Sequence, residues 1–299
     1  MQIGLIGLGD MGSEMAHHLL SAGHTLSAFA RGERSRAHAG RLGIQVHASP
    51  AEVARASEIV ITMVTTSRDV ESVALGTDGL IHGASPGLVY VDMSTISPTI
   101  ARDVARQLGE RGIAMLDAPV SGGVTAARTA SLTVFVGGEA EVFQRMRPLL
   151  ECVAKSIFHM GPLGTGQVTK LANQISQLAC LQGAAEALLF AREQGADPGK
   201  VREALLTGYG ASRMLDALGK KMVERDFAAG IVAALHHKDI GVVLELAQQS
   251  GLPLPVTAQV MQQLNALMGS GYGQQDTSSL LLVLEQMMGL KTADNSENR

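Results

Sequence analysis

Gly4-Leu5-Ile6-Gly7-Leu8-Gly9-Asp10-Met11-Gly12 is the stretch on which the fold of this chain turns. Ile3 to Ile6 reads as a short strand, and Met15, Leu19 and Leu20 recur with the spacing of a helix face, so Gly7, Gly9 and Gly12 fall in a strand-to-helix turn. The first glycine permits the tight turn, the second lets main-chain N–H groups approach a pyrophosphate, and the third allows close packing of the helix, whose N-terminus favours negative charge. Gly7, Leu8, Gly9, Asp10, Met11 and Gly12 are therefore the expected cofactor-binding loop of a dinucleotide fold, with the side chains of Met11 and Met15 directed to the core. An ordinary tight turn is the alternative.

Outward from that loop, short β-branched runs alternate with helical stretches, the pattern of βαβ units and a parallel sheet. Strands are expected at Ile3 to Ile6, Thr25 to Phe29, Ile59 to Met63, Leu88 to Asp92, Ala114 to Leu116, Thr133 to Val136 and Ser156 to Phe158. Ser49-Pro50-Ala51-Glu52 reads as a capping box with proline at the first helical position, and Ser97-Pro98 opens another helix in the same way. The run Gly161 to Gly166 reads as a glycine-rich hinge, beyond which β-branched runs almost vanish. Thr169 to Gln194 is then one long helix, with further helices beginning at Asp197-Pro198 and before Leu254 and Ser278. The expected fold class is α/β: a Rossmann-type doubly wound sheet at residues 1–162, then an all-α domain at 163–291 entered through a long interdomain helix, with a frayed tail at 292–299.

Composition narrows the function. The 299 residues fit two domains, and 46% hydrophobic with 17% charged residues excludes disorder. A net charge of -4 without a run of lysine or arginine gives no footprint for nucleic acid. Cys152 and Cys180 have neither disulfide nor zinc spacing, and the adjacent His236 and His237 make a poor metal pair, so no metal is expected. The apolar start lacks a basic leader and is too short for a membrane span, which points to a cytoplasmic protein with no membrane partner.

Three further features carry chemistry. Ala30 and Arg31 follow the second strand where an acidic residue would accept the ribose 2′-hydroxyl of NAD; Arg31, with Arg34 and Arg36 downstream, suits the 2′-phosphate of NADP, unless these are solvated loop cations. Asp117-Ala118-Pro119-Val120-Ser121-Gly122-Gly123 lies at the carboxyl end of a strand, where Ser121 offers a hydroxyl and Gly122 and Gly123 leave main-chain N–H groups open to a small carboxylate. On the long helix, Lys170, Asn173, Gln174 and Gln177 share one face opposite Leu171, Ile175, Leu178 and Leu189. That stripe either faces solvent or sets Lys170 and Asn173 toward the nicotinamide and the Ser121 loop.

Through nearly its whole length the chain resembles the β-hydroxyacid dehydrogenase family, whose members include 3-hydroxyisobutyrate dehydrogenase and tartronate semialdehyde (2-hydroxy-3-oxopropionate) reductase. The likeness is carried by Gly4 to Gly12, by Asp117 to Gly123, and by Gly164-Thr165-Gly166-Gln167-Val168-Thr169-Lys170-Leu171-Ala172-Asn173. The last motif, with Gln174, is similar to the tartronate branch. Asp92-Met93-Ser94-Thr95 resembles the segment near the nicotinamide ribose, and Lys238-Asp239 the family's lysine-aspartate pair. The resemblance thus implies cofactor contacts at Met63, Val64, Thr95 and Lys238, and a homodimer or homotetramer. Thr65 stands where the family usually has proline, and Ala130 where it usually has glycine. Ala30 replaces the acid of many NAD-using relatives.

What the resemblance implies is a hydride transfer between NAD(P)H and a short semialdehyde or β-hydroxy acid, with tartronate semialdehyde first and 3-hydroxyisobutyrate or another small β-hydroxy acid next. Lys170 would move the proton, Asn173 would position the oxygen, and Ser121, Gly122 and Gly123 would hold the carboxylate. A cofactor-binding protein without catalysis and an imine-reducing relative are the rival readings, and Lys170 speaks against both. Ser212 and Asp276 are candidates for sizing the distal part of the substrate pocket.

Overall fold

A computed structural model describes residues 1–290 of the chain, so the expected tail at 292–299 lies outside the described residues. Its strands are β1 (Gln2–Ile6), β2 (Thr25–Phe29), β3 (Gln45–Val46), β4 (Ile59–Thr62), β5 (Val89–Asp92), β6 (Ala114–Asp117), β7 (Val120–Ser121), β8 (Leu132–Gly137) and β9 (Ala154–Gly161). Helices α1 (Asp10–Ser21), α2 (Glu33–Arg41), α3 (Pro50–Arg55), α4 (Ser67–Leu75), α5 (Pro98–Gly109), α6 (Gly123–Arg128) and α7 (Ala140–Leu150) alternate with them. Then follow α8 (Thr165–Glu193), α9 (Pro198–Leu205), α10 (Arg213–Glu224), α11 (Ala233–Ser250), α12 (Pro255–Gly269) and α13 (Leu280–Met287). The chain forms two compact units, Met1–Lys170 and Leu171 onward, with α8 continuous through the division.

In the first unit the sheet runs β3-β2-β1-β4-β5-β6-β8-β7, with β9 beside β8. From β3 to β6 all pairs are parallel, and the strand order reverses direction between β1 and β4, the crevice where doubly wound folds take dinucleotides. Successive residues point to opposite faces, so Ile3, Leu5, Ile59, Ile61, Val89 and Val91 pack beneath one helical layer while Ile6, Val60 and Tyr90 pack beneath the other. Every residue of β4 and β5 is buried, as a central parallel strand covered on both faces requires. The registers align Phe29, Ile6, Thr62, Asp92 and Asp117, the last residues of β2, β1, β4, β5 and β6, in one row. All five connections therefore leave from the same edge.

Two short strands, β3 and β7, were not among those expected: two residues carry no readable alternation, and both owe their existence to pairing with β2 and β8. β8 runs antiparallel to β6 and β7, a direction that its own sequence does not encode. The glycine-rich run forms a close-packed turn, and α8 starts at Thr165, four residues before the expected start. Gly161 and Gly164 have φ of +119° and +90°, while a Cβ on Gly166 would lie 2.4 Å from the Phe135 carbonyl oxygen.

The second unit is helical. Leu178, Leu181, Ala185 and Leu188 of α8 form one buried face that meets Leu215 and Leu218 of α10, Ile240 of α11 and Leu264 of α12. Asp197 accepts the Lys200 amide at 3.0 Å with Pro198 in the first turn, so α9 begins where its sequence signal lies. Among the described residues no helix is long and apolar enough to cross a membrane.

Candidate active site

The loop after β1 has the properties its glycines require. Gly7 adopts φ of +101°, and a Cβ there would sit 2.3 Å from the Met63 carbonyl oxygen. A Cβ on Gly12 would lie 1.9 Å from the Gly7 carbonyl oxygen, so only glycine lets α1 press against the turn. Gly9 differs: a Cβ would meet nothing within 4 Å, and as N-cap of α1 it makes no side-chain cap. That open space faces the first turn of a helix whose leading N–H groups lack intrahelical partners, which suits a pyrophosphate. Leu8 is buried, Asp10 is exposed, and Met11 packs against the core beside the fully buried Met15.

At the end of β2, Ala30 is buried and Arg31 extends to Asp69 in the first turn of α4, with 2.8 Å between guanidinium and carboxylate. Arg31 and Asp69, with Phe29, Ser72 and Val73, border a cleft of about 290 Å³ beside the end of β2. Arg34 and Arg36 are exposed on α2, and Glu33 opens that helix. Asp69 was not singled out from sequence, although Thr66-Ser67-Arg68-Asp69 is a capping-box pattern, and the box forms with both reciprocal bonds.

A chain of hydrogen bonds joins the motifs of the first unit. The Met63 amide donates to Ile6 O at 2.9 Å, and the next amide, Val64, donates to the Ser94 hydroxyl at 3.0 Å. Gln167, wholly buried in the first turn of α8, donates to the Ser94 carbonyl at 2.8 Å and accepts the Ile96 amide at 3.0 Å, bracketing Thr95. Asp117 uses both carboxylate oxygens on the start of α8: Gly164 N–H at 2.6 Å and Gln167 N–H at 2.8 Å. Burial pushes its carboxyl up to about 6, although the Gly164 and Gln167 amides pull the other way. Gln167 and the role of Asp117 were missed from sequence; a glutamine within an otherwise small and apolar helix start was the available signal.

Ser121 is held by pairing with Thr133 of β8, and Gly122 and Gly123 follow with φ of +126° and +64°. Residues with a Cβ rarely take those angles, so this turn requires glycine at both positions. Ala130, where the family usually has glycine, has φ of +49° and carries the strain of a side chain in the left-handed region. Lys170, one turn beyond Gln167, is 8% exposed, which removes the reading of its stripe as a solvated face.

Within the second unit, the Asn173 amide group donates to Gln174 Oε1 at 3.1 Å and Gln177 donates to Asn173 at 3.4 Å. Buried Gln174 donates to Asp239 at 2.7 Å, and Asp239 pairs with Lys238 at 3.0 Å, so the stripe continues into the lysine-aspartate pair of α11. Ser212 and Asp276, the two candidates for the distal part of the pocket, both bond nearby main-chain amides. Ser212 caps α10 through the Leu215 amide at 3.0 Å, and Asp276 accepts the amides of Gly230, Ile231 and Ser278. Among the described residues no group of three or more histidine, cysteine or acidic side chains is arranged to hold a metal ion.

Comparison with known proteins follows the same outline. A family model described as the NAD binding domain of 6-phosphogluconate dehydrogenase matches residues 2–161, and one described as the NAD-binding region of NADP-dependent 3-hydroxyisobutyrate dehydrogenase matches residues 164–284. The 2-hydroxy-3-oxopropionate reductase of Escherichia coli (strain K12) is 40% identical over 293 residues, covering 98% of this chain and 100% of that one. The 2-(hydroxymethyl)glutarate dehydrogenase of Eubacterium barkeri is 35% identical, covering 98% of both. Among solved structures, Mycobacterium tuberculosis 3-hydroxyisobutyrate dehydrogenase with L-serine superposes with a TM-score of 0.88 at 30% identity, over 95% of this chain and 98% of that one. Similarity on this scale, along a chain whose glycine loop fits a dinucleotide, makes the protein a member of the β-hydroxyacid dehydrogenase family and an NAD(P)-dependent oxidoreductase.

Proposed function

We propose that this protein reduces tartronate semialdehyde to glycerate, with Lys170 as the proton-transfer residue. The observation that carries the reading is the grip of Asp117 on the Gly164 and Gln167 amides, which ties the loop bearing Ser121 to the first turn of the helix bearing Lys170. Identity of 40% to the Escherichia coli reductase along 98% of the chain supports this choice of substrate. When bound, the dihydronicotinamide supplies the hydride. Lys170, as its ammonium form, hydrogen-bonds the aldehyde oxygen and donates a proton as that oxygen gains charge; in the reverse direction the neutral amine accepts it. Asn173, three residues further along α8, orients the same oxygen. The Ser121 hydroxyl and the amides of Gly122 and Gly123 hold the substrate carboxylate. Gly7 to Gly12, Met63, Val64, Thr95 and Lys238 bind the cofactor, and Arg31 favours the form with a 2′-phosphate.

A short β-hydroxy acid such as 3-hydroxyisobutyrate is the second reading, supported by the TM-score of 0.88 to the mycobacterial enzyme. The test is a panel of short semialdehydes and β-hydroxy acids assayed with both cofactors by nicotinamide absorbance. The proposal expects the highest kcat/KM with tartronate semialdehyde and NADPH. A tenfold higher value for another acid, or no turnover of any member, would overturn it.

A further inference from the structure

We propose that Asp69 tempers the preference for NADP over NAD by holding Arg31 as an ion pair at the rim of the cleft beside the end of β2. The inference rests on the reading of Arg31 as the 2′-phosphate contact. These residues are 38 positions apart in the chain, yet guanidinium and carboxylate stand 2.8 Å from each other. They are not equally constrained by hydrogen bonds. One Asp69 oxygen accepts both the Thr66 amide at 3.1 Å and the Thr66 hydroxyl at 2.7 Å, while the Asp69 amide donates back to that hydroxyl at 3.1 Å. The carboxylate is thus fixed to the first turn of α4, with a side-chain exposure of 18% against 73% for Arg31.

Burial alone would push the Asp69 carboxyl up, but the hydrogen bonds from Thr66 and the charge of Arg31 hold it below the usual aspartate range. It stays anionic at any working pH of the enzyme. A 2′-phosphate reaching Arg31 must then share the guanidinium with a negative charge that cannot retreat, whereas a ribose 2′-hydroxyl meets no such repulsion. Arg31 attracts the phosphate and Asp69 discounts the attraction, so cofactor choice is set by the pair and not by the arginine alone.

Asp69→Asn isolates the effect, because its carbonyl oxygen can still accept from Thr66 while its NH₂ group turns toward the guanidinium and releases it. Asp69→Ser is a second uncharged variant that still carries a capping oxygen. Affinities for NADPH and NADH, measured by cofactor fluorescence at one ionic strength, are compared for the wild type, both Asp69 variants, Arg31→Ala and the double variant Asp69→Asn/Arg31→Ala. The expected result is a rise of about three- to tenfold in the NADPH-to-NADH affinity ratio for either Asp69 variant, the range of a partly exposed ion pair plus a relieved like-charge contact. Arg31→Ala should lower the ratio, and Asp69→Asn should gain less in that background than in the wild type. An unchanged or lower ratio in both Asp69 variants, with Arg31→Ala still lowering it, overturns the role of Asp69 and leaves the reading of Arg31 standing. If Arg31→Ala leaves the ratio unchanged, the reading of Arg31 fails and this inference with it.

Discussion

Replacing Asp117 by asparagine should separate catalysis from stability. The wild-type carboxylate spends both oxygens on the start of α8, at 2.6 Å from Gly164 N and 2.8 Å from Gln167 N. Asparagine keeps one acceptor and turns an NH₂ group toward the other amide. Losing a hydrogen bond to a charged group costs about 1.5 to 3 kcal/mol. Against this, the fully buried carboxyl is pushed from 3.8 to about 6, so keeping it ionised near pH 8 costs on the order of 3 kcal/mol that the neutral amide does not incur. That cost is already net of the pull of both amides, so the variant should unfold no lower than the wild type near pH 8. Turnover should not be spared. The first turn of α8 is no longer pulled onto the Ser121 loop, and a displacement of about 1 Å in a reacting group typically costs on the order of a hundredfold. The assay is kcat and KM by nicotinamide absorbance from pH 5 to 9, beside thermal unfolding followed by circular dichroism and cofactor affinity by fluorescence. The wild type should lose kcat as pH falls through about 6, when Asp117 takes a proton, and that limb should vanish in the variant. A kcat within threefold of wild type would refute the reasoning, as would a collapse of stability that accounts for the lost activity.

The other predictions concern single groups. Lys170→Ala should lower kcat by about a hundredfold or more while cofactor affinity and unfolding midpoint persist, and Lys170→Arg should not rescue because a guanidinium does not deprotonate; near-wild-type turnover in steady-state assays would remove Lys170 from the mechanism. Two glycines of the cofactor loop should fail differently: Gly12→Ala, whose Cβ would stand 1.9 Å from the Gly7 carbonyl, should lose about 1 to 3 kcal/mol of stability, whereas Gly9→Ala, facing open space, should fold normally and lose nucleotide affinity. Calorimetric titration and thermal melts distinguish the two, and equal melts would contradict the packing argument. Burial raises Asp92 to about 6, so the folded state holds its proton more tightly than the unfolded chain does, and stability present at acid pH is lost as pH rises through 6. Asp92→Asn, whose oxygen can still accept from the Thr62 hydroxyl and the Ser94 amide, should therefore be more stable than wild type at pH 8 by about 1 to 3 kcal/mol, with the gap closing toward pH 5. Denaturant melts at the two pH values check this.

Sequence alone determined whatever depends on neighbours within about one helical turn or one strand. The glycine loop, the strands at Thr25 and Ile59, the proline-led starts of α3, α5 and α9 and the helical character beyond Gly161 are set by local periodicity and by side chains that bond their own backbone three residues away, as Ser49 and Asp197 do. The order of the three motifs along the chain was legible too, because each needs particular residues at short fixed spacings. The tertiary structure decided what depends on distant segments arriving together. Two-residue strands such as β3 and β7 have too few positions for a pattern and are defined by their partners. The early start of α8 comes from Asp117, 47 and 50 positions away from the amides it receives, and the anchoring of the Ser94 loop comes from Gln167, more than 70 positions away. In the sequence Arg31 reads as a 2′-phosphate contact or a solvated loop cation, and only the fold sets Asp69 beside it. A backbone preference is worth a fraction of a kcal/mol and is expressed anywhere, whereas an ion pair or a buried hydrogen bond exists only where the folded chain holds both partners within about 3 Å.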